Sequence, residues 1–366
     1  MYAIIYQIVE RCCVLAVKKD VLSLTIKELE DIVTSDLGMP RFRAAQIYSF
    51  AHKGIDIDGM TSLSKSDRSK ISEILYLSLP TVAEKYVSKI DSTVKYLFEL
   101  TDGNFIESVV MSYEHGLSIC VSSQVGCRMG CAFCASTIGG KIRDLTSAEI
   151  LGQIIVAQAD LGKRISNVVM MGIGEPLDNY DNVIRFLKIV TDASSLNIGA
   201  RHISLSTCGV VPNIDRLAGE DFQITLSISL HAYSDDIRSA VMPINRMYNI
   251  DELLSACRRY FDKTGRRISF EYTLISGQND SEDGAKKLAE LLKRYMQKRP
   301  FHVNLIPVNP VKERDFTPSE RNGVKKFCET LNRLGVNATV RRTLGSDINA
   351  SCGQLRRNKI TKTNSN

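Results

Sequence analysis

From about residue 117 the chain alternates short β-rich apolar runs with amphipathic helical stretches for more than 200 residues. No other feature narrows its fold so far. The runs are LSICVSS, SNVVMMG, RHISLST, FQITLSISL, RISFEYTLI, FHVNLIPV and NATVRRT, and helical stretches separate most of them. A capping box, Thr146-Ser147-Ala148-Glu149, opens one helix whose apolar face carries Ile150, Leu151, Ile154 and Ile155. Another is expected to begin at Thr317-Pro318-Ser319-Glu320 and to stop at Gly335. Strand–helix alternation on this scale builds a parallel sheet, either barrel-like or doubly wound. In both, ligands gather at the carboxyl ends of the strands. Most of the unusual residues of this chain stand there.

The first hundred residues read differently. TIKELEDIVTSDLG places Leu29, Ile32 and Val33 on one helical face and ends at Gly38. MPRFRAAQIYSFAHKG restarts after Pro40 with Phe42, Ile47 and Phe50 apolar, and SKSDRSKISEILYL makes a third helix. STVKYLFELTDGNFIESVVM then shows two β-rich runs around Asp102-Gly103, a hairpin pattern. At 366 residues the chain exceeds the usual size of a single core. It divides into an N-terminal extension over 1–17, a helical accessory segment over 18–105, a strand–helix core over 106–345 and a C-terminal loop with a basic tail over 346–366.

Composition sets the remaining bounds. No apolar run approaches the roughly 18 residues that a membrane-spanning helix needs. The opening MYAIIYQIVERCCVLAV is interrupted by Glu10 and Arg11 and lacks the basic start and cleavage site of a signal peptide. A cytosolic chain is expected. In that reducing compartment ten cysteines point to metal binding or catalysis rather than a disulfide framework. Residues 301–366 hold 12 Lys and Arg against 5 Asp and Glu, while the rest of the chain nearly balances. Such a block either contacts nucleic-acid phosphates or serves as a solubilising tail, and charge alone leaves both open.

Four cysteines fall within CVSSQVGCRMGCAFC, residues 120–134. Cys127, Cys131 and Cys134 follow a C-x3-C-x2-C spacing on a glycine-containing loop after the first core strand. Three thiolates so close repel one another unless a cation holds them. A structural zinc site asks for four ligands, commonly as two close pairs, and Cys120, inside a β-rich run, is a poor fourth. A tetranuclear iron–sulfur cluster held by three cysteines leaves one iron open to a substrate. Cys257 and Cys328 read as small buried hydrophobes, and Cys12, Cys13 and Cys208 as structural. MMGIGEPLDNY is a poor dinucleotide fingerprint, because Leu177 stands where its third glycine belongs.

The cysteine spacing, with Phe133 just before the last cysteine, resembles the signature of the radical S-adenosylmethionine superfamily. The resemblance implies an α/β fold, a partial (β/α)6 TIM-like barrel with the helical segment as a small accessory domain. It also implies a [4Fe–4S] cluster on Cys127, Cys131 and Cys134, whose open iron binds S-adenosylmethionine and whose electron cleaves it to a 5′-deoxyadenosyl radical. Gly174 and Glu175 of the Gly-Glu-Pro motif would engage the methionyl group. Ser206, the Ser229-Leu230-His231 turn and Asn309 would hold the cofactor's sugar, carboxylate and adenine ends.

Within the superfamily, GSDINASCGQL, together with CVSSQVGCRMGCAFC, MMGIGEPLDN, PIN and LIPVNP, resembles the RNA methyltransferases that modify carbon 2 of adenine. The similarity runs from residue 18 to about 356. Residues 1–17 depart from it, and Val17 is expected to mark the native start. The resemblance implies that Cys352 accepts a methyl group from one S-adenosylmethionine and, once a second has yielded the radical, joins the RNA through the resulting methylene. Cys120 then attacks the sulfur of Cys352, and the product leaves as a transient disulfide forms. Glu107 takes the carbon-2 proton, and its place in an apolar run leads us to expect burial and a raised pKa. The implied partners are 23S ribosomal RNA at the peptidyl-transferase centre, transfer RNA beside the anticodon, and an electron donor such as a flavodoxin with its reductase. No membrane is implied, and a monomer is expected. The adenine must be flipped out to be reached, with Arg341, Arg342, Arg356 and Arg357 as candidate phosphate contacts. The related enzymes that methylate adenine carbon 8 share Cys120, the cluster and Cys352, but Pro176 and CASTIGG look more like the carbon-2 enzymes. A zinc-dependent RNA-binding module without catalysis is the alternative from another class.

Overall fold

The computed structural model describes residues 18–309, 311, 313–348 and 350. The extension over 1–17 lies outside the described residues, as do Cys352, Arg356 and Arg357. Among the described residues no helix is long and apolar enough to cross a membrane.

Three helices come first: α1 (Ile26–Asp31), α2 (Phe42–Ala51) and α3 (Lys65–Ile74). Thr25 and Glu28 cap α1 reciprocally, and α1 widens into a π turn over Ile32–Asp36. Leu29, Ile32, Val33 and Ile47 are buried, as the pattern predicts. Phe42 is not: in the first turn of α2 it is 58% exposed, with the Arg43 guanidinium over its ring. A short parallel pair, β1 (Lys19–Asp20) and β2 (Leu75–Tyr76), joins the start of this segment to its end.

One ten-stranded mixed sheet organises the rest. Its first part is an antiparallel meander of β3 (Thr81–Val87), β4 (Val94–Glu99), β5 (Phe105–Tyr113) and β6 (Gly116–Cys120). A separate ribbon of β7 (Gln124–Gly126) and β8 (Lys141–Asp144) follows. From β6 the sheet continues in parallel through β9 (Ile165–Met170), β10 (Ile203–Thr207) and β11 (Thr225–Ser229). It ends with β12 (Ile268–Leu274), β13 (Phe301–Pro307) and β14 (Ala338–Val340), also parallel. All seven apolar runs are therefore strands. Each parallel strand lies beside its predecessor in the chain, with no reversal of order. A doubly wound sheet reverses at a switch point, so the winding is that of a barrel, left open between β14 and β3.

The crossovers between these strands contain α4 (Ser147–Leu161), α5 (Tyr180–Thr191), α6 (Val211–Ala218), α7 (Asp235–Val241), α8 (Ile250–Thr264) and α9 (Glu282–Met296), and α10 (Arg321–Arg333) precedes β14. The Thr146–Glu149 capping box opens α4. The expected start of α10 at Thr317 is wrong by four residues. Pro318 is drawn into a bridge with Ile275, and Ser319 donates its hydroxyl to Asp280 at 2.6 Å instead of capping the helix.

A continuous buried cluster runs from Val21 to Ala338, so the N-terminal helices and the barrel share one core. Arg185 of α5 clamps the two together through the Ser23 carbonyl at 2.7 Å and Glu28 at 2.6 Å. The boundary sought at residue 105 falls inside a hairpin, between β4 and its partner β5, where Leu97 stands opposite Glu107.

Candidate active site

The loop carrying Cys127, Cys131 and Cys134 springs from β7 and returns through β8, a ribbon too short to show in the sequence pattern. Gly126 makes that closure possible. Its φ is +79°, and a Cβ there would lie 2.0 Å from the Gly140 carbonyl oxygen. A polar brace sits beneath the loop. The buried amide of Gln124 donates to Asp144 at 2.8 Å and to Asp178 at 2.9 Å, while its own oxygen accepts from the Glu175 N–H at 2.9 Å. Lys141 meets both carboxylates at 3.0 Å, and Arg128 pairs with Asp178. These contacts couple the cysteine loop to the Gly-Glu-Pro turn after β9.

Cys127, Cys131 and Cys134 line one cavity of about 220 Å³ at the carboxyl ends of the strands. Gly174, Glu175, Ser206, Ser229 and His231 line the same cavity, so most residues expected around the cofactor are brought together. Leu230 is not among the lining residues: it is fully buried, and its N–H donates to the Glu271 carbonyl at 3.1 Å. Burial pushes the Cys127 thiol up to about 12, with Glu175 and Cys134 adding to the shift. Cys131 rises for the same first reason, reinforced by Cys134 and Cys127. Thiols that share one cavity and oppose one another's ionisation suit a bound cationic centre, which deprotonates its sulfur ligands outright. The donor set fits an iron–sulfur cluster. Among the described residues no three His, Cys, Asp or Glu side chains converge as a set for a metal ion.

Glu175 is buried, and burial raises its pKa against the pull of its hydrogen bonds. Its carboxylate accepts from the Leu177 N–H at 3.0 Å and the Cys208 N–H at 2.7 Å, and from the Thr207 hydroxyl. Cys208 is buried in a small apolar cluster, as its structural reading expects, and also lines the cysteine-lined cavity beside the carboxylate. His231 adopts a left-handed φ of +56°, which is strained for a residue with a Cβ. Its Nδ1 accepts from the Thr273 N–H at 2.8 Å, and Phe133 meets its ring edge-on. Burial, with Arg238 nearby, lowers its pKa to about 3, so the ring is neutral at pH 7 and its proton sits on Nε2.

Arg238 has no sequence signal, yet it holds this end of the barrel together. It is fully buried and donates to the carbonyls of Cys208 (2.7 Å), Ser229 (3.2 Å) and Leu230 (3.2 Å). Asn245 of the PIN stretch accepts from it at 3.0 Å. Glu271, buried on β12 and held by Asn304 at 2.7 Å and Ser269 at 3.1 Å, is a further cavity residue that the sequence reading missed. Burial raises its pKa as well.

A second cavity of about 190 Å³ adjoins the first, sharing Met171, Gly172, Ile306 and Arg341 as common wall. Glu107 and Cys120 line it, together with Arg342 and Ala350. Asn309 belongs here rather than to the cysteine-lined cavity. Cys120 ends β6 and is buried with Val109 and Met111, against which Leu344 and Ala350 pack. Burial raises its thiol pKa, while the Arg341 charge pulls the other way. Glu107 is buried as expected, but it is met by a counter-charge that the sequence did not foretell. The Lys95 ammonium lies 3.0 Å from its carboxylate, the two side chains being 0% and 2% exposed. Lys95 comes from β4, one strand over, so only the sheet register brings the pair together.

Comparison with known proteins places these cavities in context. Residues 121–292 match the model of the radical SAM superfamily. A Clostridium novyi protein described as a probable dual-specificity RNA methyltransferase RlmN is 52% identical over 344 residues, covering 93% of this chain and 99% of its own length. An Alkaliphilus oremlandii protein of the same description is 51% identical, covering 94% and 99%. The crystal structure of a radical SAM methyltransferase from Sphaerobacter thermophilus is similar with a TM-score of 0.86 at 43% identity, over 92% of this chain and 98% of that one.

Proposed function

The chain belongs to the radical SAM dual-specificity RNA methyltransferases, and from that premise we propose that it methylates carbon 2 of adenine. The substrates are 23S ribosomal RNA at the peptidyl-transferase centre and transfer RNA next to the anticodon. One observation carries this reading. The cavity holding Glu107 and Cys120 shares a wall with the cavity holding the three cysteines, and Ala350, two residues before Cys352, reaches it.

The enzyme's cofactors, a [4Fe–4S] cluster and two molecules of S-adenosylmethionine, supply a methyl group and then a carbon radical able to take hydrogen from an unactivated position. Cys127, Cys131 and Cys134 would hold the cluster. Gly174, Glu175, Ser206 and the Ser229–His231 turn would bind S-adenosylmethionine, and Asn309 would contact it only from the adjoining cavity of Cys120 and Glu107. Carbon 2 of adenine is electron-poor and does not attack a methyl sulfonium as an amine does. A methylene radical on the sulfur of Cys352 can add to it, which requires that Cys352 be methylated first. Glu107 takes the proton from carbon 2, and the unpaired electron that the addition leaves on the adenine would be returned to the oxidised cluster, so that a closed-shell adduct remains. Cys120, as thiolate, attacks the sulfur of Cys352; the sulfur–sulfur bond forms as the sulfur–methylene bond breaks, and the departing carbon is protonated to methyl. An external reductant reopens the disulfide, and a flavodoxin-type donor supplies electrons to the cluster. Arg341 and Arg342 line the cavity wall and would meet RNA phosphates beside a flipped-out base.

The test is to incubate anaerobically reconstituted enzyme, S-adenosylmethionine and reductant with ribosomal RNA fragments and with transfer RNA, followed by nucleoside mass spectrometry. The expected product is 2-methyladenine in both. Release of 8-methyladenine would move the chain to the carbon-8 enzymes, and colourless, zinc-containing protein without product would end the radical reading.

A further inference from the structure

The turn between β3 and β4 does something that the barrel does not need: it grips the chain just before Cys352. Asp347 accepts from the Ser88 hydroxyl at 2.7 Å through one carboxylate oxygen and from the Lys89 N–H at 2.9 Å through the other. In the opposite sense, Asp91 accepts from the Gly345 N–H at 2.7 Å. The two carboxylates thus cross between segments more than 250 positions apart, one donated by each side. Bonds to an ionised acceptor are about twice as strong as neutral ones.

Both halves are shaped in advance. In the turn, the Ser88 N–H donates to the Thr93 carbonyl at 2.8 Å, and the Ser88 hydroxyl accepts from the N–H groups of Ile90 (3.1 Å) and Asp91 (3.3 Å). Asp91 also accepts from the Thr93 N–H at 3.0 Å. In the C-terminal segment, the Gly345 carbonyl accepts from the N–H groups of Ile348 (3.2 Å) and Ala350 (3.0 Å), which turns the chain back on itself. Gly345 is required for that fold: its φ is +61°, and a Cβ would lie 2.5 Å from that of Ala350. The returned Ala350 packs with Leu344 against Val109, Met111 and Cys120. Cys352 follows by two residues, at most roughly 7 Å of chain.

We infer that the Ser88–Thr93 turn is a clasp that seats residues 344–348 and Ala350 against the cavity of Cys120 and Glu107, with Ser88, Asp91 and Asp347 as positioning residues for the chain that leads on to Cys352. This rests on the role proposed for Cys352. The seat itself can be measured without that role.

In one arm, the full chain carries Ala350→Cys and Cys352→Ser, and the rate of disulfide formation between position 350 and Cys120 under diamide is followed by mass spectrometry. In the other, the native Cys120–Cys352 pair is followed in the same way, and thermal midpoints are recorded for every variant. Asp347→Asn and Asp91→Asn are each expected to slow both crosslinks about tenfold, as loss of a charge-assisted bond would, and together by more. Asp347→Glu should recover part of the rate, and midpoints should stay near that of the parent. Unchanged crosslinking at position 350 in the double Asn variant would overturn the clasp. So would slowing matched by an equal loss of thermal midpoint, since the turn would then be mere structural support. If position 350 pairs with Cys120 and the native pair does not, the clasp stands and the proposed role of Cys352 falls.

Discussion

The two adjoining cavities are built in opposite ways. The cysteine-lined cavity draws its groups from loops that follow successive parallel strands, each pinned by hydrogen bonds to the neighbouring strand ends: Gln124 beneath the cysteine loop, Leu177 and Cys208 on Glu175, Arg238 across the ends of β10 and β11. The Cys120 cavity is gathered from antiparallel strands, a barrel strand and the C-terminal segment, and it depends on long-range register and a tether. Part of the site therefore rests on contacts between neighbouring strand ends and part on a tether between distant parts of the described chain. Damage should separate them accordingly.

The largest effect should come from Cys352→Ala, which is expected to abolish methylated product while leaving iron content near four per chain, as read by iron analysis and nucleoside mass spectrometry. Retained turnover would sink the methyl-carrier role. Cys120→Ala should also keep its iron, yet accumulate protein crosslinked to RNA; free release of product would remove Cys120 from the resolving step. The reverse separation is expected from Gly126→Ala. Its Cβ would meet the Gly140 oxygen at 2.0 Å, so the loop cannot close as built and most of the iron should be lost on desalting, while Cys120–Cys352 crosslinking by diamide persists. Lys95→Met would leave the buried Glu107 without its ammonium partner. Breaking a buried pair costs about 3–5 kcal/mol, and a clear fall in thermal midpoint should accompany the loss of activity. The smallest effect is one of pH. Because burial raises the Cys120 thiol pKa above its ordinary value, the thiol is neutral near pH 7 and its thiolate fraction grows as pH rises. Resolution of trapped adduct should quicken by about tenfold per pH unit up to that pKa; a rate that falls with rising pH would contradict Cys120 as nucleophile.

The same contrast explains what could be read from the sequence. Seven apolar runs declared the parallel strands, and motifs placed just after them (the cysteine spacing, Gly174-Glu175, Ser229 to His231) meet in one cavity because adjacent strands end side by side. Arg238, Glu271 and Lys95 left no such mark. Each matters only through partners on neighbouring strands or loops, and a lone Arg, Glu or Lys in a β-rich or helical stretch looks like any other. Cys208 packs in a small apolar cluster, as its structural reading expected, while its backbone N–H, which no residue type announces, reaches Glu175. The start of α10 was misplaced because Ser319 had a competing acceptor in Asp280, 39 residues earlier.

The bond between Asp91 and Gly345 joins positions 254 apart. In a chain made from its amino end, the turn that holds Asp91 and the whole cysteine loop exist long before Gly345 does. A nascent chain can therefore form its cysteine loop while the C-terminal segment has yet to be synthesised, although the cavity that the loop lines is completed only when Ile306 and Arg341 arrive. Order of birth thus brings the cysteine loop and the C-terminal segment into the molecule at different times, and the bond between Asp91 and Gly345 can form only when synthesis is nearly done.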